Sequence, residues 1–304
     1  MKNPVKIIDI IGVPSDFGAN LLGASMGPAA LRIAGLHEKL QNIGRATMEK
    51  GDIQVPNRLT LSLEQMEHKY LSVIHTICAE LKTKSLEAHA THHLPLVLGG
   101  DHSVSIGSLA AVCTQYSTQQ IGLLWIDTHA DMNTPKSSPT GNIHGMPVSV
   151  LLGQGYPELV ALFQQQTSLK AENIVFIGLR DIDHEEKRIL KESGVTYYTM
   201  RDIDEKGIVK IVKEVNKYAF KNVDGIHISF DLDVMNPPQL PGVSTPVQGG
   251  LTFREAHLLL EMMYETQCIL SADFVELNPF KDVQGQSAMM ATDLICSLFG
   301  KTII

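Results

Sequence analysis

Cysteine is scarce in this chain, and no two cysteines lie close together in the sequence. The four present, Cys78, Cys113, Cys268 and Cys296, are spread over 304 residues and form no CxxC pair. This spacing argues against a disulfide framework and against a thiolate zinc site. We therefore expect reduced, mostly buried thiols.

Long apolar runs are absent as well. No stretch reaches the roughly 18 apolar residues that a membrane span needs. Residues 1–6 lead straight into a strand-like run, without the apolar segment and cleavage site of a signal peptide. The sequence therefore predicts a cytoplasmic protein with no membrane partner.

Positive charge is in deficit. The 25 Lys and Arg residues are outnumbered by 33 Asp and Glu, which gives a formal net charge of −8. A nucleic-acid-binding protein would instead carry a basic stripe. Because 44% of the residues are hydrophobic and 19% are charged, the composition is that of an ordinary globular protein. We expect a small-molecule partner and no nucleic acid.

Short apolar runs alternate with amphipathic stretches such as 63–82 and 206–221 along the whole chain. The runs predict eight strands, at 5–13, 45–51, 94–98, 121–127, 173–178, 195–199, 225–231 and 269–276. Strands joined by helical crossovers form a parallel sheet covered on both faces. A closed barrel and an open sheet both fit, and the irregular spacing favours an open, eight-stranded, mostly parallel α/β sheet with helices on both faces. Without linkers or repeats, we expect one domain spanning residues 1–304.

The segment Asp127-Thr-His129-Ala-Asp131 places metal-binding side chains at a spacing of two, directly after the apolar run 121–126. In extended chain, side chains at this spacing point to one face. Asp127, His129 and Asp131 are therefore predicted to converge where the strand ends. Carboxylates with one imidazole and no thiolate suit Mn²⁺ better than a structural zinc ion.

Other predicted strands also end in polar residues. Asp231 and Asp233 follow the run 226–230, His102 follows the Gly99-Gly100 turn, and Glu276 follows the run 270–275. A single polar residue at a strand end usually marks only the exit to solvent. Six ligand-type residues at one sheet edge instead predict a metal site, made of His102, Asp127, His129, Asp131, Asp231 and Asp233.

Charge balance indicates the number of ions and the kind of substrate. Four neighbouring aspartates repel one another unless cations offset them. Two divalent ions would cancel their charge and share a water whose pKa falls toward neutrality. With a bridging hydroxide and Glu276, the site keeps a net charge of about −2. This excess favours a cationic head group such as a guanidinium.

Three segments resemble the metal signatures of the ureohydrolases, the arginase/agmatinase superfamily. They are Gly-Gly-Asp-His-Ser at 99–103, Trp-Ile-Asp-Thr-His-Ala-Asp-Met-Asn-Thr at 125–134 and Ser-Phe-Asp-Leu-Asp at 229–233. Segments 140–148, 178–186, 245–255 and 276–279 resemble arginases more closely than other members. The resemblance extends from residue 8 to about residue 298.

This resemblance implies an eight-stranded parallel sheet and two Mn²⁺ per subunit. His102, Asp127, Asp131 and Asp231 would hold one ion, and His129, Asp127, Asp231 and Asp233 the other, with Asp127 and Asp231 bridging. The implied reaction is hydrolysis of L-arginine to L-ornithine and urea through a metal-bridging hydroxide. The resemblance also implies a homo-oligomer, either a trimer or a hexamer.

Roles at the reacting end follow from the same resemblance. Asp131 would align the hydroxide, and Glu276 would pair with the guanidinium. His144 would deliver a proton to the leaving amine, since its ordinary pKa lies near neutrality.

Other matched positions would bind the amino-acid end of the substrate. Asn133, Thr140 and Asn142 would donate hydrogen bonds to the α-carboxylate. Asp183 would accept from the α-ammonium, with Glu186 in support. Ser138 and Thr245 are expected to contact the substrate as well. A substrate without these groups would leave buried polar atoms unpaired.

The chain departs from the usual arginase pattern in several segments, two of which follow the second carboxylate pair. Val234-Met-Asn236-Pro stands where Gly-Leu-Asp-Pro is common, and Ser244 stands where glycine is common. Two alternatives remain: a ureohydrolase acting on agmatine, guanidinobutyrate or formiminoglutamate, and an inactive relative retained for binding. The set Asn133, Asn142 and Asp183 favours arginine, and the intact ligands argue against inactivity.

Overall fold

A computed structural model of the protein describes residues 7–163 and 169–302. Its strands are β1 (Ile8–Gly12), β2 (Thr47–Asp52), β3 (Leu94–Leu98), β4 (Ile121–Ile126), β5 (Leu169–Leu179), β6 (Thr196–Thr199), β7 (Gly225–Asp231) and β8 (Ile269–Val275). All eight predicted strands are thereby confirmed, although β5 begins four residues earlier than expected. Residues 5 and 6 of the predicted first strand lie outside the described residues.

The eight strands form one sheet in the order β2-β1-β3-β8-β7-β4-β5-β6. Every strand pair is parallel. Strands β2 and β6 are the two free edges, so the sheet is open and the barrel alternative is wrong. Strands β3, β8, β7 and β4 are consecutive at the centre, and their carboxyl ends therefore meet at one edge.

Helices cover the sheet. They are α1 (Gly27–Ile33), α2 (Leu36–Asn42), α3 (Leu63–Ala90), α4 (Ser105–Gln115), α5 (Pro147–Leu151), α6 (Pro157–Val160), α7 (His184–Glu192), α8 (Met200–Lys206), α9 (Ile208–Tyr218), α10 (Phe253–Glu265) and α11 (Gln286–Leu298). The predicted amphipathic stretch at 206–221 is split, because Gly207 adopts a φ of 76° between α8 and α9. Short 3-10 turns follow several strands.

Alternate residues of the central strands pack into two separate apolar cores. On β4, Leu124 and Ile126 face the core that contains α1, α2 and α9–α11. Leu123 and Trp125 face the core that contains α3, α4 and α5. Because both faces are buried, the strands are nearly continuous apolar runs, as expected for a parallel sheet. The prediction of helices on both faces is confirmed.

None of the four cysteines forms a disulfide bond with another described residue. Among the described residues, no helix combines the length and the apolar composition needed to cross a bilayer.

Candidate metal centre and active site

The central strands deliver the predicted ligands to one edge of the sheet. Asp127 follows β4 directly, and Asp231 is the last residue of β7. After β3 the chain turns through Gly100, where a Cβ atom would lie 1.7 Å from the backbone oxygen of Ser15. Only glycine permits this approach. The turn places His102 beside the ends of β7 and β4.

Four of the six predicted ligands surround one buried point. The Nδ1 atom of His102 lies 3.1 Å from an oxygen of each of three carboxylates, those of Asp127, Asp131 and Asp231. This nitrogen is buried and forms no hydrogen bond with any of them. One imidazole nitrogen and three carboxylate oxygens thus lie close together without hydrogen bonds between the nitrogen and the oxygens. This is the arrangement expected of ligands around a metal ion.

A second group shares Asp127 with the first. The Nδ1 atom of His129 lies 3.5 Å from Asp127 Oδ1 and 3.2 Å from Asp233 Oδ2. His102, Asp127 and Asp131 have ligand atoms close enough to hold one ion, and so do Asp127, His129 and Asp233. The structure therefore places all six predicted residues together, in two adjoining groups.

The chemistry of these groups fits divalent cations. Burial, and then the neighbouring charge of Asp127, raises the pKa of Asp131 to about 6. Burial and the charge of Asp233 raise the pKa of Asp231 well above its ordinary value. Crowded carboxylates of this kind are stabilised when cations lie between them. Buried Oδ1 of Asp233 has no hydrogen-bond partner among the described residues, which is also consistent with an ion ligand.

Outer contacts hold the ligands in place, and the sequence analysis did not identify them. The Nε2 atom of His102 lies 2.9 Å from Ser229 Oγ, and the His102 ring stacks on Trp125 at 4.0 Å. Trp125 Nε1 donates to one oxygen of Asp127 at 3.0 Å, and the backbone N–H of His129 donates to the other at 2.7 Å. Such contacts fix the orientation of metal ligands. Ser229 could have been found, because it precedes Asp231 by two residues on the same face of β7.

A cavity of about 430 Å³ opens above the two groups. His102 and Asp127 lie beneath its floor and are buried. Every other predicted site residue lines it: His129, Asp131, Asn133, Ser138, Thr140, Asn142, His144, Asp183, Glu186, Asp231, Asp233, Thr245 and Glu276.

Glu276, which is buried, and His144, which is partly buried, form a pair in the cavity wall. Glu276 Oε1 lies 3.0 Å from His144 Nδ1 and accepts the backbone N–H of His102 at 2.9 Å. Burial alone would lower the pKa of His144, but the hydrogen bond and charge of Glu276 outweigh it and raise that pKa to about 9. Oε2 of Glu276 is buried without a hydrogen-bond partner. This free oxygen is available to a cationic group inside the cavity.

The predicted substrate loop is held by short polar contacts. Ser138 Oγ accepts the backbone N–H of Gly141 at 2.9 Å, and Thr140 Oγ1 accepts that of Asn142 at 3.2 Å. Asn133 Nδ2 donates to Asp183 Oδ2 at 2.9 Å. The residues predicted to bind the carboxylate and ammonium ends of the substrate are thus adjacent.

Glu186 supports this region from beneath. It is 3% exposed, and its Oε1 accepts the backbone N–H of Met132 at 2.8 Å. Burial, together with the charge of Asp131, raises the pKa of Glu186 to about 8. Its contact fixes the backbone between Asp131 and Asn133.

Arg180 holds the loop that follows β7, and the sequence did not identify this role. Its guanidinium donates to the carbonyl oxygens of Asp233 at 2.9 Å and Val247 at 2.8 Å. In the same loop Thr245 donates through Oγ1 to Asp233 Oδ2 at 3.0 Å. Thr245 therefore contacts a metal ligand as well as lining the cavity. A partly buried arginine among carbonyls has no local sequence signature, since its partners lie 53 and 67 residues away.

Residues that differ from the usual arginase pattern form hydrogen bonds that hold this loop. Asn236 accepts the backbone N–H of Gly249 at 3.3 Å, and Ser244 Oγ accepts from Asn278 Nδ2 at 2.9 Å. Val234 packs against Gly178, where a Cβ atom would lie 2.4 Å from Val234 Cγ2.

The sequence matches the arginase family over residues 6–300. It is 40% identical to the arginase of Bacillus caldovelox, over 99% of this chain and 100% of that protein. The chain belongs to the arginase family. It is also 42% identical to the arginase of Bacillus subtilis strain 168, over 98% and 99% of the two chains. A crystal structure of Bacillus subtilis arginase superposes with a TM-score of 0.91 at 40% identity, over 98% and 100% of the two chains. The arginase-like α/β fold expected from the sequence is confirmed.

Proposed function

We propose that this protein is a manganese-dependent arginase, which hydrolyses the guanidinium group of L-arginine to give L-ornithine and urea. One observation carries the proposal: two ligand groups share Asp127 at the floor of a cavity, and the Glu276–His144 pair stands beside them. Family membership and nearly full-length identity to arginases support the same reaction.

We propose that two Mn²⁺ bind per subunit. His102, Asp127, Asp131 and Asp231 would hold one, and His129, Asp127, Asp231 and Asp233 the other. When bound, the ions supply Lewis acidity that lowers the pKa of water at the cavity floor. The purely oxygen and nitrogen donor set supports manganese over a structural zinc ion.

The protein's own residues orient the substrate. Glu276 uses Oε1 to hold His144 and the His102 backbone, which leaves Oε2 to pair with the guanidinium. With Nδ1 of His144 on Glu276, its Nε2 is the atom that delivers a proton to the departing amine. Asp131, which also lines the cavity, aligns the attacking water.

Residues of the cavity wall bind the amino-acid end of arginine. Asn133, Thr140 and Asn142 donate to the α-carboxylate, while Asp183 accepts from the α-ammonium. Ser138 shapes the loop through its contact with Gly141. A substrate that lacks either end would leave these polar groups unpaired, which typically weakens binding by 1–3 kcal/mol for each group.

Urea release from purified, manganese-loaded protein tests the proposal. L-Arginine should be turned over faster than agmatine or 4-guanidinobutyrate. Asp131→Ala should abolish turnover, whereas Asp204→Asn on the exposed side of α8 should not change it. Faster turnover of agmatine than of arginine would overturn the assignment.

We also propose that residues 1–304 form one catalytic domain, which the single continuous sheet supports. Assembly as a trimer or hexamer and a cytoplasmic location stay predictions. Light scattering of the purified protein would test the first.

A further inference from the structure

The cavity that would receive arginine is strongly acidic. The carboxylates in its wall include those of Asp131, Asp181, Asp183, Asp231, Asp233 and Glu276. No lysine or arginine is found among the described residues that line it. Two divalent ions would offset part of this charge, at the floor only. The α-carboxylate of a substrate would still be repelled at the mouth unless a cation lies near it.

Lys69 is a cation at this mouth. Its Nζ donates to Asn20 Oδ1 at 3.1 Å, and Asn20 lines the cavity. A Cβ atom on Gly141 would meet the Lys69 stem, 3.7 Å from Cγ and 3.8 Å from Cε. Gly141 lies between Thr140 and Asn142, the residues that we assign to the carboxylate. Lys69 thus lies between the two loops that form the rim.

The charge of Lys69 is free to act on a ligand. Among the described residues, no carboxylate lies within ion-pair distance of its ammonium, and its hydrogen-bond partner Asn20 is neutral. The side chain is exposed at the cavity mouth. An ammonium group has three N–H donors, so two remain for an incoming carboxylate.

The backbone holds Lys69 at the rim through a break in α3. Glu67 is extended, with a ψ of 154°, and His68, Lys69 and Tyr70 all have positive φ values of 46°, 57° and 62°. Non-glycine residues in this region are uncommon and occur where the surroundings impose them.

Aromatic side chains flank Lys69 on both sides. Tyr70 packs edge-on against Phe17 at 5.1 Å, and the Arg58 guanidinium lies over both rings. On the other side, the His68 ring lies 6.4 Å from that of Tyr156. Lys69 projects between these two anchored neighbours.

We propose that Lys69 determines specificity by binding the α-carboxylate of the substrate at the cavity mouth. The inference rests on the proposed function. Lys69 offsets the negative charge of the acidic wall next to the α-carboxylate, the only negatively charged group of the substrate. Thr140 and Asn142 complete this carboxylate-binding site. Lys69 takes no part in the reaction at the guanidinium, so it should affect substrate choice and not the chemical step.

Three substrates separate this role from a structural one. Agmatine is arginine without its carboxylate, and 5-guanidinopentanoate is arginine without its α-amine. Lys69→Met should lower kcat/KM about three- to tenfold for arginine and for 5-guanidinopentanoate, mainly through KM, as expected for a partly exposed charge pair. Agmatine turnover should change less than twofold. Lys69→Arg should retain most of the arginine activity.

Product binding gives a second readout that does not depend on turnover. Calorimetry with L-ornithine and putrescine, which differ by the same carboxylate, should show weaker ornithine binding in Lys69→Met and unchanged putrescine binding. Lys213→Met, an exposed lysine of α9 that does not line the cavity, is the matched control and should behave as wild type.

Failure of the Lys69 assignment and failure of the proposed function give different results. Equal losses for arginine and agmatine would assign Lys69 a merely structural role and overturn the proposal, and so would an unchanged kcat/KM for arginine. If the wild-type protein released no urea from arginine, the proposed function itself would fail. In that case unaltered ornithine binding by Lys69→Met would reject the Lys69 assignment separately.

Discussion

Glu276 Oε1 is shared between His144 and His102: it lies 3.0 Å from the imidazole Nδ1 of the first and accepts the backbone N–H of the second at 2.9 Å. The proton-bearing histidine is therefore tied, through one carboxylate, to the turn that carries a metal ligand. Glu276 has a φ of 64°, an uncommon conformation for a non-glycine residue. Its position is fixed by the backbone bond from its N–H to Gly100, at 2.7 Å.

This relationship predicts that Glu276 sets the protonation state of His144. In Glu276→Gln the neutral amide no longer offsets burial, so the pKa of His144 should fall from about 9 toward or below its ordinary value. At pH 8 His144 would then be mostly neutral and unable to donate a proton. NMR titration of ring-labelled histidine measures this shift directly.

A His144 titration that did not move in Glu276→Gln would show that another group holds the proton.

Asp127 belongs to both ligand groups, so its loss should affect both ions. Wild-type protein is expected to hold two Mn²⁺ per chain, and Asp127→Asn fewer than one, measured by metal analysis after dialysis. Activity should fall at least about 100-fold, since loss of an outer-shell partner alone typically costs 10- to 100-fold. Asp233→Asn removes a member of one group only and should retain more metal than Asp127→Asn.

A chelator should produce the same loss in the wild-type protein and lower its melting temperature, because ions that bind only the folded state stabilise it. Added Mn²⁺ should restore both activity and stability. Two ions retained by Asp127→Asn would refute the shared-ligand assignment.

The spacing of two at Asp127, His129 and Asp131 predicts a common face only for an extended chain, and this segment is not extended throughout. In the structure β4 ends at Ile126 and Asp131 has a left-handed φ of 49°. The chain therefore curls, so that Asp127 and Asp131 approach His102 while His129 turns to Asp233.

Strands were predictable for a simpler reason. Central strands of a parallel sheet are apolar on both faces, so β3 and β7 have boundaries identical to those of the runs 94–98 and 225–231. Contacts that join distant segments could not be predicted in this way. Arg180 donates to carbonyl oxygens 53 and 67 residues away, and Trp125 stacks on His102 after a different strand. Only folding brings these groups together.

Asp183 should control recognition of the α-ammonium. It accepts from Asn133 Nδ2 at 2.9 Å and lines the cavity. Asp183→Asn keeps its size and loses its charge, so kcat/KM should fall roughly 10- to 100-fold for arginine and agmatine, which both carry the amine. Turnover of 5-guanidinopentanoate should be nearly unchanged. For agmatine and 5-guanidinopentanoate this is the opposite of the pattern expected for Lys69→Met, while arginine is affected by both variants.

A loss for all three substrates would show that Asp183 acts by holding Asn133 and the substrate loop. Asp204→Asn again serves as the control for an exposed aspartate.

Asp16 should link stability to pH through the loop at the cavity mouth. Burial would raise its pKa, but hydrogen bonds from the Gly23 backbone, Ser25 and Arg58 outweigh this and lower it below the ordinary value of 3.8. A carboxyl with a lowered folded pKa stabilises the protein fully above its ordinary pKa and loses that contribution as pH falls through the folded value. At pH 7, Asp16→Asn should therefore destabilise the protein by about 1–3 kcal/mol in urea unfolding. Below pH 4 the difference from wild type should shrink, because the wild-type carboxyl also becomes neutral. A constant difference from pH 7 to pH 3 would mean that shape and hydrogen bonding, and not the charge of Asp16, hold this loop.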